Sequence, residues 1–148
     1  MSTHPNFPIL GFHNENSFMS NFTNVSVWLD GMEFPSVEHA YVAAKTHDLS
    51  LRIKATETLT AGAVKRLGRK MVLRDDWEEV KVDIMRDLLI QKFSQQPFRR
   101  LLLATGDSYL EETNTWNDTF WGVCNGKGKN QLGILLMEIR SYLQEIKS

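Results

Sequence analysis

Val25-Ser26-Val27-Trp28-Leu29-Asp30-Gly31-Met32-Glu33-Phe34 runs directly into Pro35-Ser36-Val37-Glu38-His39-Ala40-Tyr41-Val42-Ala43-Ala44-Lys45. The first run is rich in β-formers and is broken by Asp-Gly. That dipeptide between two such segments marks a tight hairpin, because a type I′ turn needs positive φ at both central positions. The second run opens on Pro-Ser, with Ser36 placed to cap a helix reaching about His47. A hairpin feeding straight into a helix makes the chain α+β.

Outward from this stretch the chain is mainly helical. Ser50 and Thr60 are positioned to cap two short helices, to about Leu59 and Gly68. Asp75-Asp76-Trp77-Glu78 has the spacing of a capping box, with Asp in place of Ser or Thr. Behind it Trp77, Val80, Ile84, Leu88 and Phe93 recur near helical spacing, which predicts one long helix. Pro97 starts another short helix, to about Ala104. Asn130 precedes the apolar stripe Leu132, Leu135, Leu136, Ile139, Leu143 and Ile146, a C-terminal helix. Between them Thr105 to Lys129 is polar and aromatic. A loop of that length in a compact domain is usually functional, and a short strand is expected at Ser108 to Glu112. The fold expected is a compact multi-helix α+β domain with a small N-terminal β-hairpin or sheet. No repeat, low-complexity tract or linker interrupts it, so residues 1–148 read as one domain, with 1–11 a flexible or extended segment.

Composition bounds the function. The 148 residues carry 17 Lys+Arg against 18 Asp+Glu, a formal charge of −1. That balance speaks against a generic coat for nucleic acid but leaves room for a local basic pocket. The single cysteine, Cys124, excludes an internal disulfide and a Cys-based zinc cluster, and it points to a reducing, cytoplasmic setting. No apolar run approaches the ~20 residues of a membrane span, and Met1 to Leu10 lacks the features of a signal peptide. The histidines, among them His39 and His47, show no ligand spacing, so no metal and no cofactor are expected.

Four constellations carry chemistry. On a helix, Glu38 and Lys45 return to one face two turns apart, about 10 Å along the axis. Either they are surface charges matched to the helix dipole, or both face a pocket. His39 points about 100° away from Glu38 and taken alone reads as a hydrogen-bonded structural histidine. Ser20-Asn21-Phe22 offers donors, acceptors and a flat apolar face, or an Asx-type turn anchored by an aromatic. Thr115-Trp116-Asn117-Asp118-Thr119-Phe120-Trp121-Gly122 sets three aromatics beside a carboxylate: rings to stack on, or plugs tying a loop down. It continues through Lys127 and Lys129 to Asn130, where amides at a helix N-terminus plus two lysines suit a phosphate. Finally Lys65-Arg66-Leu67-Gly68-Arg69-Lys70, with Arg74, is a solvated face or an anion binder.

In chain order these motifs resemble the NADAR family, also called YbiA-like. The resemblance rests on Phe18-x-Ser20-Asn21-Phe22, Leu29-Asp30-Gly31, Phe34 through Tyr41 with Lys45, and Ala63-Val64-Lys65-Arg66-Leu67-Gly68-Arg69. It continues through Leu73 to Glu78, Met85, Lys92-Phe93, Leu103 to Asp107, Asp118-Thr119-Phe120-Trp121-Gly122, Gly128-Lys129-Asn130-x-Leu132-Gly133 and Leu136-Met137-x-Ile139-Arg140. It covers nearly the whole chain from about Phe12. Val42 and Thr46 depart from it, standing where many members carry Gln and Phe.

The resemblance implies an N-glycosidic bond hydrolase acting on a phosphorylated ribosyl compound. One branch removes ADP-ribose from modified guanine in nucleic acid. The other cleaves riboflavin-pathway intermediates, ribosylamino-pyrimidines carrying a 5′-phosphate. The stretch Asn114 to Gly122 looks more like the first. The implied catalytic residues are Lys45, as nucleophile or proton donor, with Glu38 and Asp118. Binding residues are Ser20, Asn21, Phe22, His39, Arg69, Trp116, Trp121, Gly122, Lys129 and Asn130. The partners expected are an ADP-ribosyl or ribose-phosphate substrate and, transiently, modified nucleic acid, with no membrane and a monomeric state. A non-catalytic ADP-ribose reader using the same pocket is the competing class. A helical interaction domain ranks last, because both apolar stripes are sized for one core.

Overall fold

The computed structural model describes residues 7–146. In chain order the elements are β1 (Ile9–Leu10), a 3-10 turn (Asn14–Met19), β2 (Asn24–Leu29), β3 (Met32–Ser36), α1 (Val37–Ala44), α2 (Leu49–Glu57) and α3 (Ala61–Arg69). They continue with α4 (Trp77–Phe93), α5 (Phe98–Ala104), β4 (Leu110–Glu111), β5 (Thr113–Asn114), β6 (Val123–Cys124) and α6 (Gln131–Glu145). The fold is α+β and mainly helical, as expected. No helix among the described residues is long and apolar enough to cross a membrane. The chain divides into two compact units, Asn21–Ser94 and Met1–Ser20 with Gln95–Ser148.

In the Asn21–Ser94 unit, β2 and β3 pair antiparallel with Leu29 opposite Met32 and Val27 opposite Phe34. Asp30 and Gly31 have φ of 49° and 80°, the positive values that the Asp-Gly signal requires. Alternation buries Val25 and Val27 and leaves Ser26 and Trp28 outside. The Gln91 side chain on α4 accepts from the Trp28 N–H at 2.7 Å and donates to its carbonyl at 2.8 Å, which occupies the strand's outer edge. Helix α1 is the hub: α2, α3, α4 and both strands pack on it, and every residue from Val37 to Ala44 except Glu38 is buried. Ser36 caps it as expected, accepting from the His39 N–H at 3.0 Å.

Two capping expectations are corrected. Asp48, not Ser50, caps α2, its carboxylate accepting from the Ser50 and Leu51 amides at 2.9 and 3.2 Å. The Asp75–Glu78 box does not form: Asp76 stands at the cap position without a capping bond. Its carboxylate is drawn off by Arg74, at 2.6 and 3.1 Å, because a charged donor outcompetes a backbone amide. Thr60 caps α3 as expected, accepting from the Ala63 N–H at 3.1 Å. On α4 the buried stripe is Trp77, Met85, Leu88, Leu89, Lys92 and Phe93, so a lysine stands where periodicity alone expects a hydrophobe.

In the second unit, β1 pairs parallel with β4 and β5 parallel with β6. The strand expected at Ser108 to Glu112 is present only as Leu110–Glu111. Helix α6 packs on β4 and α5, and α5 on the 3-10 turn. Leu132, Leu135, Leu136, Ile139 and Leu143 form the buried stripe of α6. Ile146, read as its last member, is 48% exposed, because the helix ends one residue earlier. Of the segment 1–11, residues 1–6 lie outside the described residues, and Ile9–Leu10 are the strand β1.

Candidate active site

Helix α1 presents one polar stripe in an otherwise buried surface. Glu38 and Lys45 are both half-buried, Glu38 in the first turn and Lys45 as the C-terminal cap residue, still helical with φ −65° and ψ −15°. Between them Tyr41 stacks against Trp77 of α4, ring centroids 5.0 Å apart and tilted by 54°. The Lys45 Nζ lies 5.7 Å from the centroid of the Tyr41 ring, within cation–π range. From α3, Gly68 closes the other side: a Cβ built on it would sit 3.3 Å from the Lys45 Nζ. Glu38 and Lys45 thus share one stripe of α1, as their spacing predicts.

Burial holds the Lys45 ammonium below the usual lysine range. Glu38 opposes that effect, and the charges of Lys65, Arg69 and Lys81 reinforce it. The consequence is an amine that reaches its free, nucleophilic form more easily than an exposed lysine does. The C-terminus of α1, and with it Lys45, is held by Arg74. Its N–H donates to the Lys45 carbonyl at 2.7 Å and its guanidinium to the Ala44 carbonyl at 3.4 Å. Arg74 is therefore tied to the end of α1 and paired with Asp76.

The loop Asn21-Phe22 crosses the start of the same helix. The Asn21 carbonyl accepts the Glu38 N–H at 3.1 Å. The Asn21 side chain is buried, with its amide nitrogen 3.7 Å from the Met85 sulfur and its Oδ1 without a hydrogen-bond partner. Phe22 is 44% exposed, with the Lys65 Nζ 5.7 Å from its ring centroid. Arg69 is exposed at the end of α3. Asn21, Phe22, Glu38, Lys45 and Arg69 thus belong to one unit.

His39 is on α1 too but is turned inward, 2% exposed. Its Nε2 lies 2.9 Å from the Thr58 carbonyl and must donate, so its Nδ1 accepts from the Ser36 hydroxyl at 2.7 Å. Both ring nitrogens are spent on the fold, so the binding role implied for His39 gives way to the structural one.

The remaining predicted residues lie in the second unit. Ser20 ends the 3-10 turn, its N–H on the Ser17 carbonyl at 2.9 Å. One oxygen of Asp118 accepts from the Phe120 and Trp121 amides at 3.2 and 2.9 Å. The loop's organiser is Asn114, which sequence reasoning missed. Buried, it accepts from the Trp116 and Asp118 amides at 3.2 and 3.0 Å and donates to the Asp118 carbonyl at 2.9 Å. Phe120 and Trp121 pack edge to face at 4.9 Å, while Trp116 is 52% exposed. A Cβ on Gly122 would collide with the Glu112 carbonyl, so this glycine is a spacing residue.

The phosphate reading of the α6 N-terminus is corrected. The amides of Lys129, Asn130, Gln131 and Leu132 already donate to the carbonyls of Thr119, Gly122, Phe120 and Trp121, at 2.8 to 3.3 Å. These four donors are occupied and are not offered to an anion. The Asn130 side chain is also structural, accepting from the Glu112 N–H at 3.0 Å and donating to the Leu110 carbonyl at 2.9 Å. Lys129 keeps an exposed side chain, its Nζ 5.7 Å from the centroid of the Phe120 ring. Among the described residues no group of three His, Cys, Asp or Glu could hold a metal ion.

Comparison with known proteins gives the family. The NADAR domain profile matches residues 4–144. The chain is 39% identical over 142 residues to N-glycosidase YbiA of Escherichia coli, covering 91% of this chain and 88% of that protein. It is also 39% identical over 132 residues to riboflavin biosynthesis protein VVA0006 of Vibrio vulnificus, covering 86% of this chain and 36% of that longer protein. The NMR structure of the E. coli protein YbiA matches with a TM-score of 0.86 at 36% identity, over 98% of this chain and 89% of that one. The chain belongs to the NADAR family, as an N-glycosidase that hydrolyses N-glycosyl bonds.

Proposed function

We propose that this N-glycosidase removes ADP-ribose from ADP-ribosylated guanine in nucleic acid, with Lys45 as nucleophile and Glu38 as the proton-handling carboxylate. The observation that carries the mechanism is the half-buried Lys45 amine, held below its usual pKa on the same helix stripe as Glu38. The free amine attacks C1′ of the ribose. The C1′–N bond to guanine breaks, its electron pair leaves with the base, and the base takes up a proton. Loss of a proton from the attacking nitrogen and opening of the C1′–O4′ bond give a Schiff base. Water adds at C1′ and expels the lysine amine, freeing the sugar.

A second reading has support from the names of relatives: riboflavin biosynthesis proteins of Vibrio vulnificus and Zea mays are among them. It makes a ribosylamino-pyrimidine 5′-phosphate the substrate, with the same bond broken. Incubation of the full chain with ADP-ribosylated guanine DNA and, separately, with the pyrimidine intermediates decides between them. Release of ADP-ribose from the DNA supports the first; turnover of the intermediates alone replaces it with the second. Lys45→Ala and Glu38→Ala are expected to lose at least a hundredfold in kcat while melting normally. Near-parental turnover in both sinks the site. Borohydride is expected to trap a sugar on Lys45, and its absence during turnover removes the imine.

A further inference from the structure

A partly buried charge costs stability unless a neighbouring group holds it. Among the described residues the Lys45 Nζ makes no hydrogen bond and no ion pair. What lies against it is a ring: the amine stands over Tyr41, 5.7 Å from the ring centroid. The sequence builds this contact locally. Tyr41 and Lys45 are four positions apart, hence neighbours on the helix surface. A helical side chain leans back toward the N-terminus, over the turn before its own Cα. Lys45 therefore reaches back across Tyr41.

The ring is itself fixed from a second helix. Tyr41 and Trp77, the first residue of α4, are both buried, with centroids 5.0 Å apart and planes tilted by 54°. From Ala40 to Ala44 every other residue of α1 is alanine or valine, so Tyr41 is the one large side chain in that stretch. Core filling accounts for two buried rings. It does not account for an amine set over one of them, since a lysine beside a mere filler keeps its tip in water. A lysine tip is among the most mobile of side-chain ends, yet attack on C1′ needs the nitrogen held about 3–3.5 Å from the carbon. Cation–π attraction also acts on either positively charged state of this nitrogen, the ammonium at rest and the iminium of the Schiff base.

We propose that Tyr41, braced by Trp77, is the positioning residue of Lys45: its ring aims the amine for attack and stabilises the cationic nitrogen of the iminium. This rests on the reading of Lys45 as nucleophile and adds the group that holds it. In the iminium the nitrogen keeps one proton and carries the positive charge. The electron pair of the broken C1′–O4′ bond stays on O4′, which takes up a proton.

The contact is tested first without turnover, by NMR of the full chain. Protons over an aromatic face resonate upfield, so the Lys45 Hε protons are expected upfield of those of exposed lysines. Tyr41→Phe is expected to keep that shift and Tyr41→Leu to abolish it. In steady-state kinetics Tyr41→Phe is expected to keep kcat within threefold. Tyr41→Leu is expected to lose at least tenfold in kcat, with KM within threefold and at least tenfold less sugar trapped by borohydride. Tenfold is about 1.4 kcal/mol, within what a desolvated cation–π contact supplies. Thermal melts check folding; if Tyr41→Leu does not fold, Tyr41→Met takes its place, and the parent's Hε shift stands as a test by itself. An ordinary Hε shift in the parent, parental kcat in Tyr41→Leu, or a Tyr41→Phe that falls as far as Tyr41→Leu overturns the proposal. So does a loss of kcat in Tyr41→Leu with the Hε shift intact, which would be a packing effect. A Tyr41-dependent shift in a chain that turns over no N-riboside removes the proposed function and leaves the contact. Turnover that needs Lys45 but ignores Tyr41 removes the positioning role and leaves the function.

Discussion

The Lys45 Nζ lies 3.3 Å from where a Cβ would stand on Gly68, and the same Cβ would lie 3.0 and 3.2 Å from the two Val42 methyls. The lysine tip can move aside. Val42 cannot easily, being fully buried and β-branched on a helix, where one χ1 rotamer dominates. Gly68→Ala therefore trades about 1 kcal/mol of helix propensity for about 1–3 kcal/mol of overpacking, and it displaces the amine. The expected result is a net loss of stability of about 0–2 kcal/mol, with at least a tenfold loss of kcat. Thermal melts and steady-state kinetics check both; unchanged kcat would show that the amine's position is not set by α3.

The charges around Lys45 predict the direction of two pH shifts. If the free amine attacks, kcat/KM rises with pH along a limb below the usual lysine pKa. Glu38 holds the proton on Lys45, so Glu38→Gln moves the limb to lower pH, alongside its loss of rate. Lys65 drives the proton off, so Lys65→Met moves it to higher pH. The pH dependence of Lys45 acylation reads the same shifts without turnover, and movement in the opposite sense contradicts the arrangement.

Lys92 is fully buried on α4, its Nζ 5.0 Å from the centroid of the Phe93 ring, and burial pushes its pKa down to about 7. Between that value and the ordinary value of 10.5 the unfolded chain binds more protons than the folded one. Stability therefore rises with pH across this window, by at most about 1.4 kcal/mol per pH unit from this group. Below it the full cost is present. Denaturant unfolding of the parent and Lys92→Met from pH 7.5 to 9.5 isolates the effect, since Lys45 contributes alike to both. The parent curve is expected to rise more steeply; parallel curves would mean that Lys92 keeps its proton in the fold.

Asn114 holds the aromatic loop of the second unit through the Trp116 and Asp118 amides and the Asp118 carbonyl. Asn114→Ala leaves those groups without their partner, at a cost of about 2–3 kcal/mol. Chemical unfolding and tryptophan fluorescence are the measurements, and a loss below about 0.5 kcal/mol would assign the loop's order to its aromatics. Cys124, whose Sγ is 3.8 Å from the Asn117 side-chain oxygen, takes no part in the proposed chemistry. Cys124→Ala is expected to keep kcat within twofold.

Local signals were legible wherever the interaction that makes them is local. The Asp30-Gly31 turn, the Ser36 and Thr60 caps, and the apolar stripe of α6 each depend on residues within a few positions of one another. So does the Glu38–Lys45 stripe, which two turns of helix bring onto one face. These determined the fold class, and the order of the motifs determined the family and, through that resemblance, the candidate nucleophile with its carboxylate. Tertiary structure decided what those residues can do. Gly68, Tyr41 and the Lys65–Arg69–Lys81 group set the environment of Lys45, yet they lie on three helices whose meeting no local spacing encodes. Arg74 drew Asp76 away from its capping role, and the loop carbonyls of residues 119–122 took the amides that made the α6 N-terminus look like a phosphate site. Desolvation, charge fields and competition for hydrogen bonds all act between segments distant in the chain, so they are settled only when the chain packs.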